Sequence, residues 1–304
     1  VKSQIVLFLF FLTISFSVKA QDLWTFEKDI QCFSKGIGFD SNNYIQTVSL
    51  DRVQLDAFVT KIDSPSSFSK TKQTTIVFPN ESGKSEKFSV HEVGLLSSEL
   101  SKEHSNIKTF VGRSLSRKNV HVRWSISPLG VNAMIDSPEG QFFLQPDRSR
   151  NINKHLFYKR NGTLYDDFES LNCLVTTDKN VKKNAVQTKT QSKQTAKFSS
   201  DQTLKTYRIA VSATGEFTQF WGDNDDTNGT NKEDAYAKII STINRINQVF
   251  QIDLGVQLQL VSDVNLLYDD PDTDPYGNDF NEEVQEILTD SIGEANYDIG
   301  HLFD

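Results

Sequence analysis

The stretch YRIAVSA at 207–213 decides how the fold is read. Ile209, Ala210, Val211 and Ala213 make it a buried type of strand, apolar toward both faces. Downstream, a polar loop over Trp221–Asn231 leads into Thr230-x-x-Glu233, the pattern of a helix-opening capping box. Ala235, Tyr236, Ile239, Ile240, Ile243, Ile246, Val249 and Phe250 then recur at helical spacing. Gly255 follows, and Val256–Leu260 alternates with period two, as a strand with one polar face does. Asp279-x-x-Glu282 opens a second helix carrying Val284, Ile287, Leu288 and Ile292, with Gly293 placed to end it. Tyr297–Phe303 is a third strand. Helices between strands of this length imply parallel crossovers, so 206–304 is expected to form βαβαβ in an open, mostly parallel α/β sheet. The chain stops at Asp304, directly after the third strand. Because such a sheet needs covered faces and a protected edge, the segment is expected to be the first half of a larger catalytic domain.

Upstream the grammar changes. Residues 1–20 carry Lys2, an apolar run Ile5–Phe16 and a small-x-small site at Val18-Lys19-Ala20. These are the marks of a secretory signal peptide, and the run is short of the roughly 20 residues of a membrane span. A secreted, extracellular protein without a stable membrane span is therefore expected. Residues 21–177 are rich in short alternating runs: Thr74–Phe78, Lys87–His91, Val120–Ile126, Val131–Ile135 and Gln141–Leu144. Turn residues separate them at 79–83, Ser127-Pro-Leu-Gly130 and Ser137-Pro-Glu-Gly140, and one helix is expected near Ser97–His104. This is a β-rich, antiparallel pattern. Residues 178–205 contain Lys, Gln, Thr, Ser and Asn with hardly an aliphatic side chain, the composition of an exposed linker. Lys182 and Lys183 are the candidate site for a processing protease; a plain tether fits the composition equally.

The net charge of −8 argues against nucleic acid as a partner. Cys32 and Cys173 are the only cysteines, and an oxidising compartment permits a disulfide between them. No two of His91, His104, His121, His155 and His301 stand four apart, the spacing that puts two imidazoles on one helix face. The acidic clusters Asp223, Asp225, Asp226 and Asp269, Asp270, Asp272, Asp274, Asp279 could offer calcium its hard oxygens. Asn228 and Pro275 stand where a calcium loop of the EF-hand type needs glycine, so solvated loops are the expectation.

Tyr207–Thr218, the helix 235–250 with Arg245-Ile-Asn-Gln-Val-Phe250, the strand Val256–Leu260 and Tyr297-Asp-Ile-Gly-His-Leu-Phe303 resemble, in order, the reprolysin-like (adamalysin-type) metzincin zinc proteases, particularly their secreted bacterial branch. Phe88–Leu100, Phe110-Val-Gly112, the turn Ser127–Gly130 and Gly140–Pro146 resemble the associated propeptide. The resemblance implies a fold in two parts: a β-rich N-terminal propeptide domain, then an incomplete α/β metzincin-like domain. It implies the N-terminal portion of a secreted zinc metalloendopeptidase zymogen that hydrolyses protein or peptide substrates through a metal-activated water. Its zinc-binding helix is expected downstream of Asp304, so no catalytic residue is expected in this chain and the fragment is expected to be inactive. Some relatives carry a calcium site near the termini. Asp298 matches one ligand, but Arg208 stands where a glutamate belongs, so calcium is not supported. Cys173 lies where many relatives hold a latency cysteine, whose thiolate would occupy the open zinc position. A disulfide with Cys32 and a free structural thiol remain the other two readings.

Two other functions compete. One is a secreted adhesion protein with a von Willebrand A-like α/β domain, disfavoured because Val211–Glu216 lacks the aspartate such a metal motif needs. The other is a secreted β-rich interaction protein with a degenerate C-terminal half.

Overall fold

The structure, a computed structural model, describes residues 23–27, 45–60, 74–147, 151–159, 203–277 and 279–304. In chain order the elements are β1 (Trp24–Phe26), β2 (Ile45–Leu50), α1 (Arg52–Val59), β3 (Thr74–Pro79), β4 (Ser85–Glu92), α2 (Ser98–Glu103), β5 (Lys108–Ser114), β6 (His121–Ser127), β7 (Gly130–Ser137), β8 (Gly140–Pro146) and β9 (Lys154–Lys159). After residue 203 come β10 (Lys205–Ala213), α3 (Gly215–Trp221), α4 (Asn231–Asp253), β11 (Val256–Leu260), α5 (Phe280–Ile292) and β12 (Ile299–Phe303).

Tight turns dictate the first sheet. Ser127 pairs with Gly130 and Ser137 with Gly140, leaving two-residue turns that each exit through a glycine at φ 120° or 123°. Those angles are open to glycine and hard for any residue with a Cβ. In the turn after β3, Asn80 Oδ1 accepts from the amides of Ser82 and Lys84, both at 3.0 Å. Strands joined this way run antiparallel, and nine of them form one sheet in the order β1-β2-β9-β8-β7-β6-β5-β4-β3. The sheet curls until its edges meet: the Trp24 indole on β1 donates to the Val77 carbonyl on β3 at 2.9 Å. Inside lie Trp24, Phe78, Phe88, Phe110, Trp124 and Phe157, none more than 1% exposed. The Phe110 and Trp124 rings stack at 4.2 Å.

The expected open, mostly parallel α/β sheet is therefore overturned. The chain builds a β-rich, nearly closed antiparallel sheet of nine strands, and parallel pairing is confined to a second sheet of three, β11-β10-β12. Two physical features account for the error. Hairpin-linked alternation over 74–159 produces seven of the twelve described strands, and the helix read as covering a parallel sheet is shared by both sheets. Sequence patterning also passed over β1, β2, α1, β9 and α3, which are short or weakly periodic.

The shared helix is α4. Its N-terminus carries the capping box: Thr230 Oγ1 accepts from the Glu233 amide, and Glu233 Oε2 accepts from the Thr230 amide at 2.8 Å. One face, with Ala235, Tyr236, Ile239, Ile240 and Ile243, packs on Ile209, Val211, Leu258 and Leu260 of the parallel sheet. Ser241, Asn244, Asn247 and Gln248 are equally buried: Asn247 exchanges two hydrogen bonds with the Leu258 backbone of β11, and Asn244 meets β6, which together with β7 encloses α4 on a second side. Leu95, Leu96 and Leu100, from the segment leading into α2, complete the core of the parallel sheet. They also extend it, since the Leu260 amide donates to the Leu95 carbonyl at 2.9 Å and the Ser97 amide to the Leu260 carbonyl at 3.2 Å. Among the described residues, no helix is long and apolar enough to cross a membrane.

Candidate functional site

The cysteines Cys32 and Cys173 and the lysines Lys182 and Lys183, which carry the latency, disulfide and processing readings, lie outside the described residues. The histidines do not converge. His155 is fully buried; its Nε2 accepts from the Val131 amide at 3.0 Å and its Nδ1 lies 3.2 Å from the Asn153 carbonyl. Burial pushes that imidazole down to about 4, against an opposing pull from the Asn153 carbonyl. His104 packs at 4.7 Å against Tyr236. Partial burial, with Arg123 and Arg113 nearby, lowers His91. His301 lies on β12 with its ring 4.9 Å from that of Phe303. Among the described residues no group of three or more His, Cys, Asp or Glu side chains stands together to hold a metal ion. The described residues thus do not fit a zinc centre.

The acidic loops spend their oxygens on their own backbone. Asp223 Oδ1 accepts from the Asp225 amide at 2.8 Å and its Oδ2 from Asn228 Nδ2 at 2.8 Å. Asp274 Oδ1 accepts from the Tyr276 amide and its Oδ2 from the Gly215 amide. Asp298 is engaged on both oxygens: Arg208 Nη2 donates to Oδ1 at 2.8 Å, and Arg208 Nε and its backbone amide donate to Oδ2 at 3.1 and 2.7 Å. Those hydrogen bonds hold the Asp298 carboxyl down at about 2. Arg117 is paired with Glu81, Glu86 and Glu139. In the stretch weighed for an adhesion-type metal motif, Ser212 Oγ donates to the Leu266 carbonyl and Thr214 Oγ1 caps α3 by accepting from the Phe217 amide.

What the fold does assemble is a cleft between its two parts. A cavity of about 250 Å3 opens between the β6–β7 hairpin with the end of β8 on one wall and the α3–α4 corner on the other. Ser127, Asn132 and Asp147 stand on the first wall, Phe220, Trp221 and Lys238 on the second. Lys238 Nζ sits 4.0 Å from the Trp221 ring centroid. Ser127 Oγ, Asn132 Oδ1 and Asp147 Oδ2 are buried and have no hydrogen-bond partner among the described residues. Each such group costs roughly 1–3 kcal/mol, so three around one cavity are a substantial local penalty. Asp147 and Lys154 stand 3.9 Å apart, too far for a hydrogen bond. Sequence reasoning flagged none of these residues. The 127–130 turn was legible, but no local signal tells which of its polar side chains another segment will bury.

Beyond the cleft, the parts are joined by polar contacts. Arg123, 3% exposed, donates through Nη1 to Asn244 Oδ1 at 3.2 Å and through Nη2 to Gln251 Oε1. Asn244 Nδ2 returns a bond to the Trp124 carbonyl at 2.9 Å.

Residues 203–304, from the strand before α3 to β12, match a family model described as metallo-peptidase family M12B, reprolysin-like. The C-terminal segment is reprolysin-like. That match covers about a third of the chain and takes in all of the three-stranded parallel sheet. No curated protein matches the chain. At family level, the similarity of residues 203–304 is to metallopeptidases.

Proposed function

We propose that this chain is the N-terminal portion of a secreted zinc metalloendopeptidase zymogen, with residues 21–177 as its propeptide and 178–205 as the segment a processing protease cuts. The match of 203–304 to the M12B reprolysin-like family carries the reading. The polar character of the contacts between α4 and β6 is consistent with it. Interfaces that must separate are more polar than permanent ones, and here the contact is made by Arg123, Asn244 and Gln251. The described residues do not supply a metal centre, so the zinc ligands of such an enzyme belong to other residues. What the described part supplies is the scaffold strands β10–β12 and the cover over α4. Cys173, at the end of the propeptide, is the proposed zinc-blocking thiol, with a Cys32–Cys173 disulfide as its rival.

The test uses the full product of the gene. Secreted from its host and processed between 178 and 205, it is expected to cleave a quenched-fluorescent peptide library, to lose that activity in 1,10-phenanthroline and to regain it with zinc. A processed, zinc-loaded product that cleaves no peptide overturns the reading. Cys173→Ala is expected to give activity before processing; unchanged latency assigns Cys173 to one of the other two roles.

A further inference from the structure

Between β4 and β5 the chain leaves the nine-stranded sheet over residues 93–107 and then returns to it. The two strands are direct neighbours, pairing Glu92 with Phe110, and antiparallel neighbours can be joined by as few as about two residues. The excursion is closed at its base: the Val93 amide donates to the Thr109 carbonyl at 2.9 Å, and Thr109 Oγ1 donates to the Val93 carbonyl at 2.7 Å. It is a finger on a fixed base, longer than the connection requires.

Its apolar residues serve the other part of the molecule. Leu95, Leu96 and Leu100, between 3% and 7% exposed, belong to the core of the parallel sheet and not to the aromatic interior of the nine-stranded one. Ile107 packs on the same cluster, and His104 meets Tyr236 of α4. Ser97 sets the shape of the finger by accepting from the Leu100 amide and opening α2. An extended pair of leucines is thereby followed by a helical one.

The surface that receives the finger is equally specific. β11 is the outer strand of its sheet, and such an edge is a template for any extended segment. Asn247 of α4 covers one station of that edge: its Nδ2 donates to the Leu258 carbonyl at 2.9 Å, and its Oδ1 accepts from the Leu258 amide at 2.7 Å. At the next station, Leu260, the partners are instead the Leu95 carbonyl and the Ser97 amide. One station is capped from within residues 203–304, and the next is filled by a guest strand. Backbone bonds for affinity with side-chain pockets for specificity are the recognition mode of β-strand addition.

We propose that the Leu260 edge, with the apolar residues of β11 and α4 beside it, is a docking surface whose occupant is the 93–107 finger of this chain's own N-terminal part, and that the finger holds the two parts together after the segment between them is cut. The covalent link contributes effective concentration; the finger contributes the contact. The inference rests on the reading of 178–205 as a processing segment. It adds that a single cut leaves two polypeptides in one particle, whose separation requires a second event at the finger.

The experiment uses the full chain with the recognition site of a sequence-specific protease in place of residues 186–192, so the host's own processing does not enter. After the cut, gel filtration at about 10 μM is expected to return both pieces in one peak with the mass of the uncut chain, and dilution to give a Kd of about 1 μM or tighter. Leu95→Asp sets an unpaired charge among leucines and is expected to raise Kd at least about a hundredfold. Leu100→Ala, a simple truncation, is expected to raise it at least about fivefold. Lys102→Gln, exposed on the same finger, is expected to leave it unchanged. Because the leucines lie outside the aromatic interior, Leu100→Ala should keep the near-ultraviolet circular dichroism of the parent, which separates lost docking from lost folding. That variant decides the matter if Leu95→Asp does not fold. Separated pieces at about 10 μM in the parent, or parent affinity in Leu100→Ala, overturns the docking surface. Twice the expected mass, lost in Leu95→Asp, gives the surface to a second copy and overturns the assignment to the chain's own part. A chain that its host never cuts overturns the processing reading and leaves the binding result standing.

Discussion

Arg123 on β6 and Asn244 on α4, 121 positions apart, are joined by a 3.2 Å hydrogen bond from guanidinium Nη1 to amide Oδ1. The guanidinium is buried, and the partners that structure gives it are neutral amides. Desolvation brings it down to about 10, well under the usual arginine range. Its Nε has no hydrogen-bond partner among the described residues, so the buried ion depends on its two amide acceptors.

Asn244→Ala is expected to destabilise the chain by roughly 2–4 kcal/mol. The truncation strips one acceptor from a buried cation and one donor from the Trp124 carbonyl. Urea unfolding followed by circular dichroism measures it. A loss below about 0.5 kcal/mol would show that Arg123 finds water on this face.

Acid should weaken the nine-stranded sheet through His155. Its imidazole is neutral in the fold down to about 4, whereas in the unfolded chain it charges near 6.5. The unfolded state therefore binds the extra proton. The contribution is intact above pH 6.5 and declines as pH falls toward 4, by up to about 3 kcal/mol. His155→Gln, which can still accept from the Val131 amide, should flatten that slope. Trp24, whose ring lies 5.2 Å from the imidazole, reports the transition by fluorescence.

Asp234 should act in the opposite sense. Burial, followed by the neighbouring Asp223 and Glu233 charges, raises its carboxyl to about 7, although the Asp223 amide donates to it at 3.1 Å. Here the folded state holds the proton. Stability is greatest below the ordinary carboxylate range and is lost as pH rises from about 4 through 7. Asp234→Asn is expected to exceed the parent by about 1–3 kcal/mol at pH 8.5 and to match it near pH 4. Melting curves across that range check it.

The pair Arg208–Asp298 fastens the start of β10 to the chain entering β12. With its carboxyl depressed to about 2, Asp298 supports the fold above its unfolded value and ceases to do so as pH falls from about 4 to 2. Asp298→Asn should remove this dependence while retaining one acceptor for Arg208. The slope of Tm against pH in that window is the readout.

What was legible in the sequence was local. The cap at Thr230 and Glu233, the glycine turns at 130 and 140 and the N-cap of α2 at Ser97 each depend on a few neighbouring side chains, and each forms. The curl that brings Trp24 to Val77 depends on contacts 53 positions apart, and no local pattern encodes it. The polar side of α4 was illegible for the same reason. Asn244 is buried because β6 supplies its partners, Arg123 and the Trp124 carbonyl, 121 and 120 positions away. Of the cleft, the turn was visible and the burial of Ser127, Asn132 and Asp147 was not.

The backbone bond between Leu260 and Leu95 sets a clock on biosynthesis. At about 5–20 residues per second, a ribosome makes Leu95 and Leu96 roughly 8–30 seconds before the strand they pair with. Through that interval two leucines and an unpaired run of peptide groups wait without a partner, a condition that favours adhesion to other nascent chains. A holdase that covers Leu95–Leu100 until Val256–Leu260 emerges would raise the yield of folded chain, and slowed translation between those points would lower it.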